Sequence, residues 1–144
     1  MIDVQRTFTV SKDPGQVVAY LKDFGNAEQW DPGTVTCVQV SPGQVEEGTT
    51  WRNVSKFRGK ETELTYRLDK LSEQELVFVG ENKTAHSTDT ITVIPAGDGS
   101  RITYRAQIEF KGLAKLATPF LKSEFDKLGD KTQEQMSRVI NSRN

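Results

Sequence analysis

The chain has 144 residues, of which 35% are hydrophobic and 27% charged, with a formal net charge of −1. That length holds one domain, residues 1–144, and the balanced charge argues against both a disordered tail and a basic surface built for nucleic acid. One cysteine and one histidine exclude an internal disulfide and a four-ligand structural zinc site, so no metal is expected and the compartment reads as reducing. The start, Met1 to Phe8, carries charge and alternation instead of an apolar signal core. No apolar run approaches the roughly 18 residues of a membrane span, and a soluble cytoplasmic protein without an integral membrane segment is expected.

Ile2, Val4, Phe8 and Val10 alternate with Asp3, Gln5, Thr7 and Thr9, the period of a half-buried strand, with Arg6 interrupting the apolar face. Asp13 and Pro14 then form a helix start, because the carboxylate caps free N–H groups and proline at the first position lacks only an N–H that has no partner there. Val17, Val18, Leu21 and Phe24 continue at helical spacing, and Gly25, Asn26, Pro32 and Gly33 punctuate a second short helical piece that carries Trp30. Residues 34–40 are rich in β-branched side chains and predict a strand. Residues 48–57 and 61–71 predict a hairpin turning at Arg58 and Gly59. Residues 75–80 form a short apolar strand, and residues 84–95 a longer one ending at Pro95. After a turn over residues 96–100, Ile102, Tyr104, Ala106, Ile108 and Phe110 alternate strictly with polar neighbours.

Beyond Gly112 the period becomes helical. Leu113, Leu116, Ala117, Phe120, Leu121, Phe125, Leu128, Met136, Val139 and Ile140 fall near one stripe. A helix over residues 113–141 would be about 43 Å long, enough to cross a sheet, with a kink or short turn at Pro119. The fold class is therefore α+β: a seven-stranded antiparallel sheet wrapped around a long C-terminal helix, with two short helices after the first strand. A twisted sheet and a straight helix diverge, which leaves a pocket between them.

This order of elements, the WDPG of Trp30 to Gly33 and the run Asp98 to Gly112 before the long helix resemble the polyketide cyclase/dehydrase-type members of the START-like, helix-grip superfamily, often labelled SRPBCC. The resemblance covers essentially the whole chain, but its motifs are structural and no single residue defines a reaction. It implies a deep cavity for a lipid, polyketide or other hydrophobic small molecule, with some relatives acting as aromatase/cyclases and others as carriers.

Strand parity orders the candidate residues. Taking the apolar faces inward directs Phe8, Leu64, Tyr66, Leu68, Ile91, Val93, Tyr104, Ala106 and Ile108 toward the cavity, and Asp89 shares the parity of Ile91 and Val93. A carboxylate in apolar surroundings has a raised pKa and can serve as acid, base or ligand anchor, unless a strand end or bulge keeps it solvated. Arg6 is its expected counter-charge, or else a stem with a wet guanidinium. Tyr66 and Tyr104 offer phenolic proton donors, or buried hydroxyls with one partner each. Asp89, Arg6, Tyr66 and Tyr104 are thus the candidate catalytic set.

Trp51, Asn53, Ser55 and Phe57 share a face that is read as inward, where Asn53 and Ser55 would orient a ligand. Trp30 either closes the cavity mouth or packs on its short helix. Phe120 and Phe125 on the helix complete the expected contacts. His86, Ser87 and Asp89 do not form a triad, since His86 and Ser87 point to opposite faces of one strand. Cys37, inside a strand, reads as a small buried hydrophobe. The lysines between 111 and 131 alternate with acids and form a solvated helix face. No cofactor fingerprint is present. The chain is read as a binder or carrier of a hydrophobic small molecule, with a cyclase, dehydrase or aromatase using the same cavity as the alternative; its oligomeric state is left open.

Overall fold

The structure, a computed structural model, describes residues 1–143. β1 (Ile2–Val10) is followed by α1 (Pro14–Leu21), a single 3-10 turn (Phe24–Asn26) and the short α2 (Ala27–Trp30). Then come β2 (Thr34–Gln39), β3 (Thr50–Phe57), β4 (Lys60–Leu71), β5 (Glu75–Glu81), β6 (Ala85–Ala96) and β7 (Gly99–Phe110). A 3-10 stretch (Gly112–Ala117) leads into α3 (Thr118–Asn141). The strands form one antiparallel sheet in the order β1-β7-β6-β5-β4-β3-β2, which is the helix-grip architecture expected from the sequence.

Local chemistry explains the boundaries. Asp13 Oδ1 accepts a hydrogen bond from the Gln16 N–H at 3.0 Å, and Pro14 opens α1. The β3–β4 turn places Arg58 at φ 54° and Gly59 at φ 80°. Two successive positive φ values match the right-handed twist of a two-residue hairpin. Asn82 Oδ1 accepts from the N–H groups of Thr84 and Ala85 at 2.8 Å each and folds the β5–β6 turn. Register shifts at Leu68/Lys70 in β4 and Thr34/Thr36 in β2 add local twist in the half of the sheet remote from β1 in strand order.

Two boundaries differ from the sequence reading. β6 continues through Pro95 to Ala96 and β7 starts at Gly99, so the turn shrinks to Gly97 and Asp98. Pro95 is exposed near the strand end, where a missing N–H is tolerated. At the other boundary, α3 starts at Thr118 with Pro119 in its first turn, so proline begins the helix instead of kinking it. The 24-residue helix is therefore about 36 Å long.

The buried face of α3 also begins later than the predicted stripe. Gly129, Thr132, Met136 and Ile140 are buried, whereas Leu113, Leu116 and Phe120 are 87%, 71% and 76% exposed. Close contact between α3 and β1 is possible because residue 129 is glycine: a Cβ there would lie 2.5 Å from Val4 Cγ1. The solid core occupies the end of the sheet near α1 and α2. There Phe24 packs edge-on to Trp30 and Trp51, with ring centroids 6.0 and 5.9 Å away, and stacks on Phe78 at 4.4 Å.

Candidate ligand cavity

At the opposite end, sheet and helix separate around a cavity of about 430 Å³. Its walls come from the end of β3 (Ser55, Phe57), the start of β4 (Thr62, Leu64), the end of β7 (Ala106, Ile108, Phe110) and α3 (Leu121, Phe125, Leu128). Phe57 and Phe125 stack across the gap between β3 and α3, with centroids 4.6 Å apart and planes 12° from parallel. Arg58 Nε approaches Glu124 Oε1 at 3.6 Å beside them. Lys56 and Lys60, both exposed, line the outer end.

The inner end is polar. Tyr66, Ser87, Asp89 and Tyr104 are all less than a tenth exposed, and together with Asp31 they line the cavity. Alternation brings them together. Ser87 and Asp89 share a face of β6, Asp89 lies opposite Ala106 on β7, and Tyr104 lies opposite Ile91. Tyr66 reaches the group across β5. It is paired with Gly80, which in turn pairs with Ser87. A Cβ on residue 80 would lie 2.6 Å from Tyr66 Cζ, so glycine lets the phenol ring lie flat over the β5 backbone. Asp31 comes from the α2–β2 junction, where Oδ1 accepts from the Gly33 N–H at 3.0 Å and Oδ2 from the Thr34 hydroxyl at 2.9 Å.

Burial, first, and the neighbouring Asp31 push the Asp89 carboxyl up to about 8, so it carries a proton at neutral pH. Asp31 is also raised by burial, although its two hydrogen bonds pull the other way. Burial and then the Asp89 charge hold the phenols of Tyr66 and Tyr104 well above their usual value. The inner end is thus a group of hydroxyls and carboxyls without a basic side chain among them.

Residues 1–137 match the family described as polyketide cyclase / dehydrase and lipid transport. The chain belongs to this family. Among solved structures it is similar to a protein from Thermus thermophilus, with a TM-score of 0.79 and 15% identity over 96% of each chain. It is also similar to a START superfamily protein from Mycobacterium smegmatis, with a TM-score of 0.74 and 16% identity over 98% of this chain and 95% of that one. The Zhui aromatase/cyclase from a Streptomyces species gives a TM-score of 0.71 and 15% identity over 95% of this chain and 94% of that one. At such identities these likenesses establish the fold. A comparison with curated proteins finds no match.

In this member of the polyketide cyclase/dehydrase and lipid transport family, the residues singled out from the sequence divide into three groups. Asp89, Tyr66, Tyr104, Ser55, Phe57, Leu64, Ala106, Ile108 and Phe125 all line the cavity. Phe8, Trp30, Trp51, Asn53 and Ile91 are buried in the solid core instead. Parity turned the four strand residues, Phe8, Trp51, Asn53 and Ile91, inward, but they lie further along their strands, where α1 and α2 fill the space. Trp30 is fully buried and meets Tyr104 edge-on at 5.9 Å, so it packs behind the inner end and does not close a mouth. Its Nε1 is buried without a hydrogen-bond partner.

Phe120 and Arg6 form the third group, outside the cavity and outside the core. Phe120 points to solvent because α3 has not yet met the sheet at that position. Arg6 is no counter-charge for Asp89: its Nε donates to Asp130 Oδ1 at 2.8 Å, and its two terminal nitrogens donate to the Gln5 and Asp126 carbonyls at 2.8 Å each. The acids of α3 lie directly over β1 and claim the guanidinium. Sequence reasoning missed Asp31, Ser87 and Gly80. Ser87 was detectable from its shared parity with Asp89; the other two required the register and the path of a loop.

Proposed function

We propose that this protein binds a hydrophobic small molecule between its curved sheet and α3, with the body of the ligand against the apolar walls and a polar head at the inner end. The observation that supports this reading best is the cavity of about 430 Å³ itself, with mostly apolar walls and a cluster of buried polar groups at its inner end. That distribution suits recognition, because burial supplies affinity while a few fixed polar groups set orientation. The family description, which includes lipid transport, is consistent with it. The test is native mass spectrometry of protein purified from its own host, followed by displacement of a hydrophobic fluorescent probe. A co-purifying hydrophobic molecule, and loss of probe binding in Ala106→Phe, are expected. An empty protein that also ignores the probe and a lipid panel overturns the proposal.

A second reading is favoured by Asp89 specifically. A carboxyl protonated at neutral pH beside two phenols can deliver a proton to a carbonyl or enolate oxygen, the chemistry of a cyclase or dehydrase. On that reading Asp89→Asn abolishes turnover of a poly-β-keto substrate while affinity stays within about tenfold, roughly 1.4 kcal/mol. Parallel loss of both favours plain binding.

A further inference from the structure

The inner end of the cavity is short of positive charge. Asp31 and Asp89 both line it. The charges acting on its groups are acidic: Asp31 on Asp89, Tyr66 and Tyr104, and Glu28, Asp23 and Asp31 on Cys37, which also lies behind this end in the core. Asp23 and Glu28 are turned to other partners, Asp23 to the Trp51 indole N–H at 3.3 Å and Glu28 to the Cys37 N–H at 2.7 Å. Among the described residues the basic side chains that line the cavity are Lys56 and Lys60, both on the β3–β4 hairpin at the outer end. Arg6, which has the right parity on β1, is held by Asp130 and the Asp126 carbonyl. Buried carboxyls are ordinarily paired with a cation or hydrogen-bonded in full. Asp31 has its two donors, whereas Asp89, 6% exposed, faces the cavity with none.

We propose that the ligand's polar head is a protonated amine, seated between Asp89 and Asp31 and flanked by the Tyr66 and Tyr104 rings, with its hydrocarbon body along the cavity walls. This rests on the reading of the cavity as a hydrophobic-ligand site and specifies the chemistry of the head. An ammonium satisfies both carboxyls at once and donates to each. Phenol faces stabilise the same cation when water is excluded. A neutral carbonyl or hydroxyl head would give Asp89 a hydrogen bond but no counter-charge once the carboxyl ionises. A carboxylate head would add a third acid to the site. A hard metal ion needs six or more oxygen ligands, more than two carboxyls among phenols supply.

The pH dependence follows from the acid–base bookkeeping. Asp89 in the empty cavity is protonated below about pH 8, so an arriving ammonium displaces that proton, and affinity for the amine rises with pH until the amine itself loses its charge near the ordinary range of an alkylamine. The facing groups from the other elements are Asp31, Tyr66 and Tyr104. The two phenols stay neutral throughout this range, and Asp31 is the acidic neighbour that helps to raise Asp89.

Isothermal titration of the full chain with octylamine, octan-1-ol and octanoate at pH 6.5 and 8.5 tests the proposal. Octylamine is expected to bind at least about tenfold more tightly than octan-1-ol at pH 8.5, to gain up to about tenfold per pH unit below pH 8, and to release a proton detected by buffer-dependent heats. Octan-1-ol should be flat with pH, and octanoate weakest. Asp89→Asn should lose at least about tenfold for octylamine relative to octan-1-ol, together with the pH dependence. Octan-1-ol or octanoate binding as tightly as octylamine, or octylamine indifferent to both pH and Asp89→Asn, overturns the amine head while leaving the cavity reading intact. Failure of all three ligands overturns both. The wild-type series decides the matter even where the variant does not fold.

Discussion

Asp89 is where burial does most to alter chemistry. Its value of about 8 in the folded chain stands well above the 3.8 of an ordinary aspartate. Between those two values the folded chain holds a proton that the unfolded chain has lost, so stability falls as pH rises, by at most about 1.4 kcal/mol per unit. Below pH ~4 both states are protonated and the penalty vanishes; above pH ~8 both are ionised and it stops growing. Asparagine cannot ionise, so Asp89→Asn should gain on the wild type steadily from pH 4.5 to 7.5. Urea midpoints measured across that range check this, and a constant difference between the two proteins would refute it. The same carboxyl was legible in the sequence because a period of two is strict: Asp89 had to face the same way as Ile91 and Val93. Asp31 was not legible, since a loop residue has no parity and only the path of the chain after α2 brings it to the cavity. Gly80 was hidden for a different reason, because its importance lies in the Tyr66 ring that crosses it.

At the scale of elements, the contact between β1 and α3 holds the helix against the sheet around residues 126–130. Gly129 allows the backbones to approach, and Arg6 spans from β1 to Asp130 and to the Asp126 carbonyl. The two ends of that ion pair are unequal. Asp130 is 74% exposed, so its charge is well screened, whereas the Arg6 side chain is 22% exposed and also serves two carbonyls. Asp130→Asn should therefore cost under about 1 kcal/mol. Arg6→Leu should cost more, roughly 1–2 kcal/mol, because it removes all three hydrogen bonds of a largely buried guanidinium. Chemical denaturation of both variants measures the difference; equal small costs would mean that the guanidinium contributes only surface charge. Neither substitution should change ligand affinity by more than about threefold, since Arg6 does not line the cavity. Sequence patterning found every strand and the helix, yet it gave the helix too long a buried stripe. Leu113, Leu116 and Phe120 have the right spacing but precede the point where α3 touches the sheet. Periodicity describes a face of an element and is silent about where along it the partner begins. For the same reason Phe8, Trp51 and Ile91 turned inward as expected but entered the solid core.

At the scale of the molecule, sheet and helix enclose a solid half and a hollow half. The solid half, built on Phe24, Trp30, Trp51 and Phe78, needs large side chains in close contact. The hollow half needs only a lining, which accounts for a modest hydrophobic fraction of 35% in a chain of 144 residues. Among the described residues no helix is long and apolar enough to cross a membrane. On the proposed ligand-binding reading, substitutions in the solid half should be read in stability, and substitutions in the hollow half in binding.

The sheet order places the first strand beside the last, with Ile2 opposite Ile108 and Val10 opposite Ser100, and α3 then closes over both. Neither β1 nor the helix can find its partner until about a hundred residues of intervening chain have been organised, and contacts that close such long loops come late and slowly. The hairpins from β3 to β7 are local and form the natural nucleus; the cavity is completed only when the two ends of the chain meet. Refolding should accordingly fall in the millisecond-to-second range typical of sheets rich in distant contacts. Arg6→Leu should accelerate unfolding while leaving the folding rate within about twofold, as expected for an interaction absent from the transition state. A stopped-flow chevron whose folding arm moved instead would place the β1–α3 contact in the nucleus. On this ordering the β3–β7 part of the sheet forms first and the proposed ligand cavity last, so a bound ligand would act on the final step of folding and chiefly slow the reverse of it.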